Sequence, residues 1–166
     1  MSARYSKRKS TNLLESMYQN SLSSRARLFA VLSSVLVLVS CAGVQFADQA
    51  DDTQAKQFQV ASGKSNIYVY RNQDVGINTS ISVSVNEAHV GNTDKGTFIL
   101  ETVSPGNHTI KAEGENVDEL QIVTTAGRNY FVWLEVRLGV VTNRAHLQLV
   151  DESQGKTGVR ESRLVY

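Results

Sequence analysis

The chain has one cysteine and one proline among its 166 residues. A single cysteine excludes an intramolecular disulfide and a cysteine-rich metal site. Positive charge exceeds negative charge only at the start of the chain. Residues 1–40 carry six Lys or Arg and one acidic residue, whereas residues 41–166 carry eleven Lys or Arg and fifteen acidic residues. A mildly acidic body lacks the basic surface of a nucleic-acid binder, so we expect no nucleic-acid partner. The length favours one modest domain, and the 41% hydrophobic content excludes a wholly disordered chain.

The longest apolar run, Leu28–Val39, follows Arg25 and Arg27. As a helix it would span about 18 Å, well short of a hydrocarbon core of about 30 Å. A basic flank, a short apolar core and small residues after it form a secretory signal, which we expect over residues 1–40. A buried core helix or a short membrane anchor is the alternative. A start at Met17 would give a signal of ordinary proportions, so we expect residues 1–16 to precede the true start.

The apolar run ends in Leu38-Val39-Ser40-Cys41-Ala42, which resembles the bacterial lipobox. The resemblance implies cleavage between Ser40 and Cys41, attachment of diacylglycerol to the Cys41 sulfur and acylation of the new amino terminus. A thiolate is a good nucleophile toward the lipid donor. An ordinary buried cysteine is the alternative. Ala42 is not the Asp that marks retention in the inner membrane, so the expected location is the outer membrane, facing the periplasm.

The residues after Cys41 are rich in Gln, Asp and Ala and show no sustained apolar period. We expect residues 41–62 to be a lipidated, flexible tether with a root-mean-square span of about 25 Å. From residue 63 to 166 the apolar period becomes two, which predicts seven or eight short strands and an all-β, antiparallel β-sandwich. The predicted strands are Ile67–Arg71, Asn78–Val85, Thr97–Val103, His108–Glu113, Leu120–Thr124, Asn129–Leu138 and Ala145–Val150. Arg160–Val165 is either an edge strand or a terminal helical turn.

Five motifs occur in a fixed order: 67-IYVYR-71, 85-VNEAHVG-91, 96-GTF-98, 103-VSPGNHTI-110 and 126-AGRNYFV-132. In this order and spacing, from Ser62 to Val150, they resemble a family of small bacterial lipoproteins, domain of unknown function 2846 (DUF2846). Glu87 departs from the family pattern, which often has Gly after Asn in this hairpin. The resemblance implies a β-sandwich outside the cytoplasm, and it brings no activity and no catalytic residues.

No motif indicates an enzyme or a cofactor site. Gly155-Lys156-Thr157 lacks the earlier Gly of a phosphate-binding loop, because position 150 is Val. The three histidines, His89, His108 and His146, do not have metal-ligand spacing, so no metal is expected. We expect His108 to order the turn at Pro105. Glu101, Glu135 and Asp151 could pair as acid and base, but Glu135 and Arg137 favour a surface ion pair.

The aromatic residues of two strands are the strongest candidates for binding. If Ile67 and Val132 face the core, strand alternation turns Tyr68, Tyr70, Phe131 and Trp133 outward. Exposed, they would form a flat face for a sugar ring or a protein partner. The alternative is that the second sheet and the tether bury them.

We therefore expect a non-enzymatic binding or adaptor module of the cell envelope, held to the membrane by its lipid. Its partner would be an envelope protein or a glycan, and no cofactor is expected. An envelope enzyme or inhibitor using Glu135, Glu101 or His108 is the alternative, and a mainly structural lipoprotein is a third.

Overall fold

The computed structural model describes residues 44–73 and 80–166. The predicted signal peptide, Met17, the cleavage position and Cys41 lie outside the described residues, as do the first two residues of the predicted strand 78–85. Within the described part of the chain, no helix is both long enough and apolar enough to cross a bilayer.

The described residues form nine strands and two helices. A five-stranded sheet has the order β8-β7-β1-β4-β9, and a four-stranded sheet has the order β3-β2-β5-β6. The strands are β1 Ser65–Arg71, β2 Ile81–Val85, β3 Ala88–Thr93, β4 Thr97–Val103, β5 Gly106–Glu113, β6 Val117–Thr124, β7 Asn129–Leu138, β8 Asn143–Val150 and β9 Arg163–Leu164. The helices are α1 Gln49–Ala55 and α2 Glu152–Arg160. The predicted β-sandwich is confirmed.

Two features of the sandwich differ from the prediction. The sheets are not wholly antiparallel, because β1 pairs in parallel with β7 and β4 pairs in parallel with β9. The apolar periodicity also did not indicate β3, which is exposed along its first two residues and lacks a clear apolar alternation. It follows β2 through a two-residue turn in which Asn86 and Glu87 have φ of 50° and 68°. Glu87 thus adopts the left-handed conformation that glycine normally supplies in such a hairpin.

The main core lies between the two sheets and follows the predicted alternation. Ile67 and Val69 of β1 and Val132 and Leu134 of β7 lie in this core and are at most 1% exposed. The four-stranded sheet contributes residues that alternate in the same way: Ile81, Val83, Val85, Ile110, Ala112 and Ile122. Alternation places every second residue of a strand on the same face, so the apolar set of each strand points to one core.

The prediction of a flexible tether is wrong from Val44 onward. Phe46 forms an isolated bridge with Val165, and α1 follows directly. Asp48 caps α1, because its carboxylate accepts a hydrogen bond from the Asp51 N–H at 2.9 Å. Only three apolar side chains of this segment are buried: Ala47, Ala55 and Phe58. A seven-residue helix with so few buried positions leaves no periodic pattern in the sequence, which is why it was missed.

The C-terminal segment contains both structures that the sequence left open. α2 covers residues 152–160 and ends before Arg163, where the chain adds β9 to the edge of the five-stranded sheet. Asp151 caps α2 by accepting the Gln154 N–H at 2.9 Å. Helices α1 and α2 pack against the five-stranded sheet, around a second apolar cluster that includes Tyr68, Phe131 and Val159. The described residues therefore form three layers: a four-stranded sheet, a five-stranded sheet and a helical layer.

Side chains just before and within β6 close one open edge of the sandwich. The Asn116 side chain accepts the Ala145 N–H at 2.8 Å and donates to the Ala145 carbonyl at 2.9 Å. Asp118 accepts the Leu147 N–H at 2.6 Å. These bonds satisfy backbone groups along β8, the outer strand of its sheet, and so protect an edge that could otherwise pair with another chain.

Candidate functional site

The predicted aromatic face is a buried layer. Tyr68, Tyr70 and Phe131 are at most 1% exposed, and Trp133 is half-buried. The alternation was correct, because these side chains do leave the sandwich core. The expectation of an exposed face is wrong, because residues 47–58 and α2 cover it. The alternative interpretation is thus correct in part: the tether region covers the rings, but together with α2 rather than with the second sheet.

The rings of this layer are held in contact with one another. Tyr68 and Phe131 stack with centroids 5.1 Å apart, and Phe58 meets both rings at 5.4 and 5.8 Å. The Tyr68 hydroxyl donates to the Ala55 carbonyl at 2.9 Å, which joins β1 to the end of α1. Burial raises the pKa of Tyr68 to about 12, because the charged phenolate would lose its hydration. This part of the layer holds the structure together and is closed to a ligand.

Two glycines let α2 lie close to the aromatic layer. A β-carbon at Gly155 would overlap the ring of Phe131, and one at Gly158 would overlap the ring of Tyr70. The two glycines are three residues apart and so share one face of the helix. Gly155 of the Gly-Lys-Thr sequence therefore has a packing role, consistent with rejecting it as a phosphate-binding loop.

Between α2, the end of β1 and the middle of β7 there is an open cleft of about 500 Å³, which we call the α2 cleft. Its floor includes Tyr70 and Trp133, and its rim includes Asp151, Gln154 and Glu161. The indole N–H of Trp133 is buried and has no hydrogen-bond acceptor among the described residues. A buried donor without a partner costs about 1–3 kcal/mol.

The α2 cleft has an acidic character. Asp151 and Glu161 line it, and no Lys or Arg does so among the described residues. Burial, and then the negative charges of Asp151 and Glu161, raise the pKa of Tyr70 to about 12, although a hydrogen bond with Gln154 opposes the shift. Tyr70 therefore keeps its hydroxyl proton at neutral pH. The cleft is thus lined by two carboxylates and by the largely buried side chains of Tyr70 and Trp133.

The acidic residues predicted as acid–base candidates are not brought together. Glu101 shares a face of β4 with Ile99, which points into the sandwich core, whereas Glu135 shares a face of β7 with Trp133. The two carboxylates thus lie on opposite sides of the five-stranded sheet. Burial raises the pKa of Glu101. The predicted ion pair is confirmed: Glu135 Oε2 lies 2.7 Å from Arg137 Nη2.

His108 orders the turn at Pro105, as predicted. Its Nε2 lies 2.9 Å from the Ser104 carbonyl, and its Nδ1 lies 2.8 Å from the Asn86 side-chain nitrogen. Asn86 in turn accepts the Thr109 N–H through its amide oxygen, which assigns its nitrogen as the donor to His108. The proton of His108 therefore lies on Nε2 and is donated to the Ser104 carbonyl in the turn. Among residues 44–73 and 80–166, no group of three His, Cys, Asp or Glu side chains is arranged to hold a metal ion.

Comparison with known proteins identifies the family to which the chain belongs. The sequence model of a protein family of unknown function, DUF2846, matches residues 61–145. The chain belongs to the DUF2846 family. An uncharacterized protein of Haemophilus influenzae is 30% identical over 138 residues, which cover 80% of this chain and 82% of the relative. The resemblance drawn from the ordered motifs is therefore confirmed.

The DUF2846 match covers only part of the α2 cleft. Tyr70 and Trp133 fall within residues 61–145, whereas Asp151, Gln154 and Glu161 follow the matched range. Sequence reasoning had named Asp151 only as a possible catalytic acid and had missed Gln154 and Glu161. The available signal was the Asp151-Glu-Ser-Gln154 start of a helix, a capping pattern that would have predicted α2.

Proposed function

We propose that this DUF2846 protein is a lipid-anchored, non-enzymatic binding module of the bacterial cell envelope, and that the α2 cleft is its ligand site. The observation that carries the proposal of a binding site is the buried Trp133 N–H, which lacks an acceptor among the described residues. The proposal of an anchor is supported by the lipobox sequence at Ser40 and Cys41.

The chemistry of the α2 cleft favours a hydroxyl-rich ligand. Such a ligand supplies an acceptor to the Trp133 N–H and donors to the carboxylates of Asp151 and Glu161. An anionic ligand would bring a third negative charge beside these two carboxylates, with no cation lining the cleft to offset it. We propose a neutral or amino saccharide, which belongs to one of the two partner classes expected from the sequence, an envelope protein or a glycan.

Trp133 is the only tryptophan of the chain, so its fluorescence reports directly on the α2 cleft. We expect N-acetylglucosamine oligomers or glucosamine to change this fluorescence with a Kd on the order of 1 mM, a typical weak affinity for an open site. Glucose 6-phosphate serves as the anionic comparison and should bind at least about tenfold more weakly. No change with either saccharide at about 10 mM would refute the ligand class.

Two variants distinguish binding in the α2 cleft from binding elsewhere. Glu161→Gln and Asp151→Asn remove the negative charges, and Asn can still cap α2. We expect both to weaken glucosamine binding more than N-acetylglucosamine binding, since only glucosamine carries a positive charge. Glu119→Gln, on an exposed position of β6, is the matched control. Equal losses in all three variants would place the site outside the cleft.

The anchor is tested separately, by metabolic labelling with a palmitate analogue. We expect label on the wild-type chain in the outer-membrane fraction and none on Cys41→Ser. An unlabelled wild-type chain would refute lipidation and leave the saccharide titration unaffected. The envelope enzyme remains the alternative. Nothing in the geometry favours it, because Glu101 and Glu135 lie on opposite faces of the five-stranded sheet. Both ring nitrogens of His108 are engaged in hydrogen bonds at its turn.

A further inference from the structure

Two large exposed aromatic residues lie at the edge where the described chain begins. This N-terminal edge consists of residues 44–47 beside β9 and Tyr166. Phe46 is 48% exposed and Tyr166 is 55% exposed. Phe46 bridges to Val165, and the Tyr166 N–H donates to the Gln45 carbonyl at 2.9 Å, so both aromatics belong to one continuous edge.

Both rings of the N-terminal edge are held in fixed positions. The guanidinium of Arg163 lies 4.3 Å from the centroid of the Phe46 ring. The Tyr166 hydroxyl donates to Asp51 at 2.6 Å. Ordered, exposed aromatics with polar partners beside them suit the boundary between lipid headgroups and water, where amphipathic rings and long cationic side chains concentrate.

The length of chain before Val44 limits how far this edge can stand from an anchored Cys41. Only Ala42 and Gly43 lie between Cys41 and Val44. The three residue steps from Cys41 to Val44 span at most about 11 Å when fully extended. A lipid on Cys41 would therefore keep the N-terminal edge at the bilayer surface. The 25 Å separation expected of a long tether does not apply, because residues 44–58 pack onto the sandwich.

A second group of large exposed apolar residues lies far from this edge. Leu138, Val140 and Val141, at the hairpin between β7 and β8, are 73%, 94% and 80% exposed. β8 and β9 are opposite edges of the five-stranded sheet, about 19 Å apart across four strand spacings. Leu138 also lies five residues further along β7 than Trp133, the residue that pairs with Tyr70 of β1. This separates Leu138 from that pair by about 16 Å along the strand. The hairpin is therefore a distal control on the same molecule.

We propose that the N-terminal edge, through Phe46 and Tyr166, rests on the lipid bilayer at the level of the headgroups. This inference rests on the proposed lipidation of Cys41. Asp51 accepts the hydrogen bond from Tyr166, and Asp48 caps the helix that contains Asp51, so the edge carries these two carboxylates as well as Arg163. The surface therefore has no excess of positive charge and does not require anionic lipid. The surface that the N-terminal edge contacts is thus a zwitterionic lipid bilayer, and the contact is made by the aromatic rings beside the anchor.

The test uses the full-length protein, lipidated in cells and reconstituted into phosphatidylcholine vesicles. Lipidation consumes the Cys41 thiol, so one introduced cysteine can carry an environment-sensitive fluorophore. We place it at Phe46→Cys, Tyr166→Cys or Val141→Cys, with Gln45→Cys as an exposed position that removes no aromatic ring. Lipids with a quencher near the headgroup then report contact with the bilayer.

We expect the quencher to reduce the fluorescence at positions 45, 46 and 166 at least twofold and to leave position 141 unchanged. Vesicle-bound protein with no quenching at 46 and 166, or with equal quenching at 141, would overturn the inference while leaving the anchor intact. Protein that does not float with the vesicles and keeps a reactive Cys41 thiol would overturn both proposals.

Discussion

Gly158 of α2 lies directly against the ring of Tyr70 in β1, and a β-carbon at this position would overlap the ring. Tyr70 also forms part of the floor of the α2 cleft, and Asp151, Gln154 and Glu161 of the rim lie at or near the ends of α2. The distance between helix and sheet therefore sets the shape of the cleft. A glycine in a helix interior destabilises the helix by about 1 kcal/mol relative to alanine. At position 158 it allows α2 to pack closely against Tyr70.

Gly158→Ala should destabilise the fold even though alanine favours a helix. We expect the free energy of unfolding to fall by about 2 kcal/mol, because the added methyl group must displace Tyr70 or the helix itself. Urea denaturation measures the change. Ser153→Ala, on the exposed side of the same helix, is the control and should be neutral or slightly stabilising. A stabilised Gly158→Ala protein would show that the helix does not lie this close to the sheet.

Glu87→Gly should stabilise the protein. Asn86 and Glu87 both have positive φ in the turn between β2 and β3, a conformation that strains a residue with a β-carbon. We expect a gain of about 0.5–1 kcal/mol in the free energy of unfolding, since Asn-Gly is the preferred pair in such hairpins. Thermal unfolding measures it. The same change at Glu119, in the extended strand β6, should instead lower the melting temperature.

Glu115 should make stability depend on pH in the acid range. The N–H groups of Thr142, Val141 and Val140 donate to its carboxylate and lower its pKa to about 2. The stabilisation is complete above the ordinary pKa of about 4.5 and is lost as the pH falls toward 2. We expect Glu115→Gln to unfold more easily at pH 7 and to show a flatter pH dependence between 4.5 and 2. Parallel curves for the two proteins would contradict this assignment.

Tyr68 should make stability depend on pH in the alkaline range, where stability is lost as the pH rises rather than as it falls. Its pKa is about 12 in the folded chain and about 10 when exposed, so the folded state holds this proton more tightly. The stabilisation is complete below pH 10 and is lost as the pH rises toward 12. We expect Tyr68→Phe to cost about 1 kcal/mol at pH 7, through the bond to Ala55, and to flatten the decline above pH 10. Urea titrations at several pH values measure both effects.

The sequence predicted the sandwich well because strand alternation is local. Val132 and Leu134 point to the core and Phe131 and Trp133 away from it, as their spacing requires. The candidate site was predicted less completely. Tyr70 and Trp133 were identified, but their expected exposure depended on what would cover them. That cover comes from α1 and α2, which are short helices with few buried apolar residues and hence little periodic signal.

The sequence by itself determined the strand pattern, the family and the expectation of a lipid anchor at Cys41, because each depends on the order of neighbouring residues. Only the tertiary structure decided that the predicted tether packs onto the sandwich and that the aromatic face is closed, leaving a cleft at Trp133. These outcomes depend on contacts between residues far apart in the chain, such as Phe58 with Phe131 and Phe46 with Val165. Local periodicity does not predict such contacts, since they form only when the layers pack.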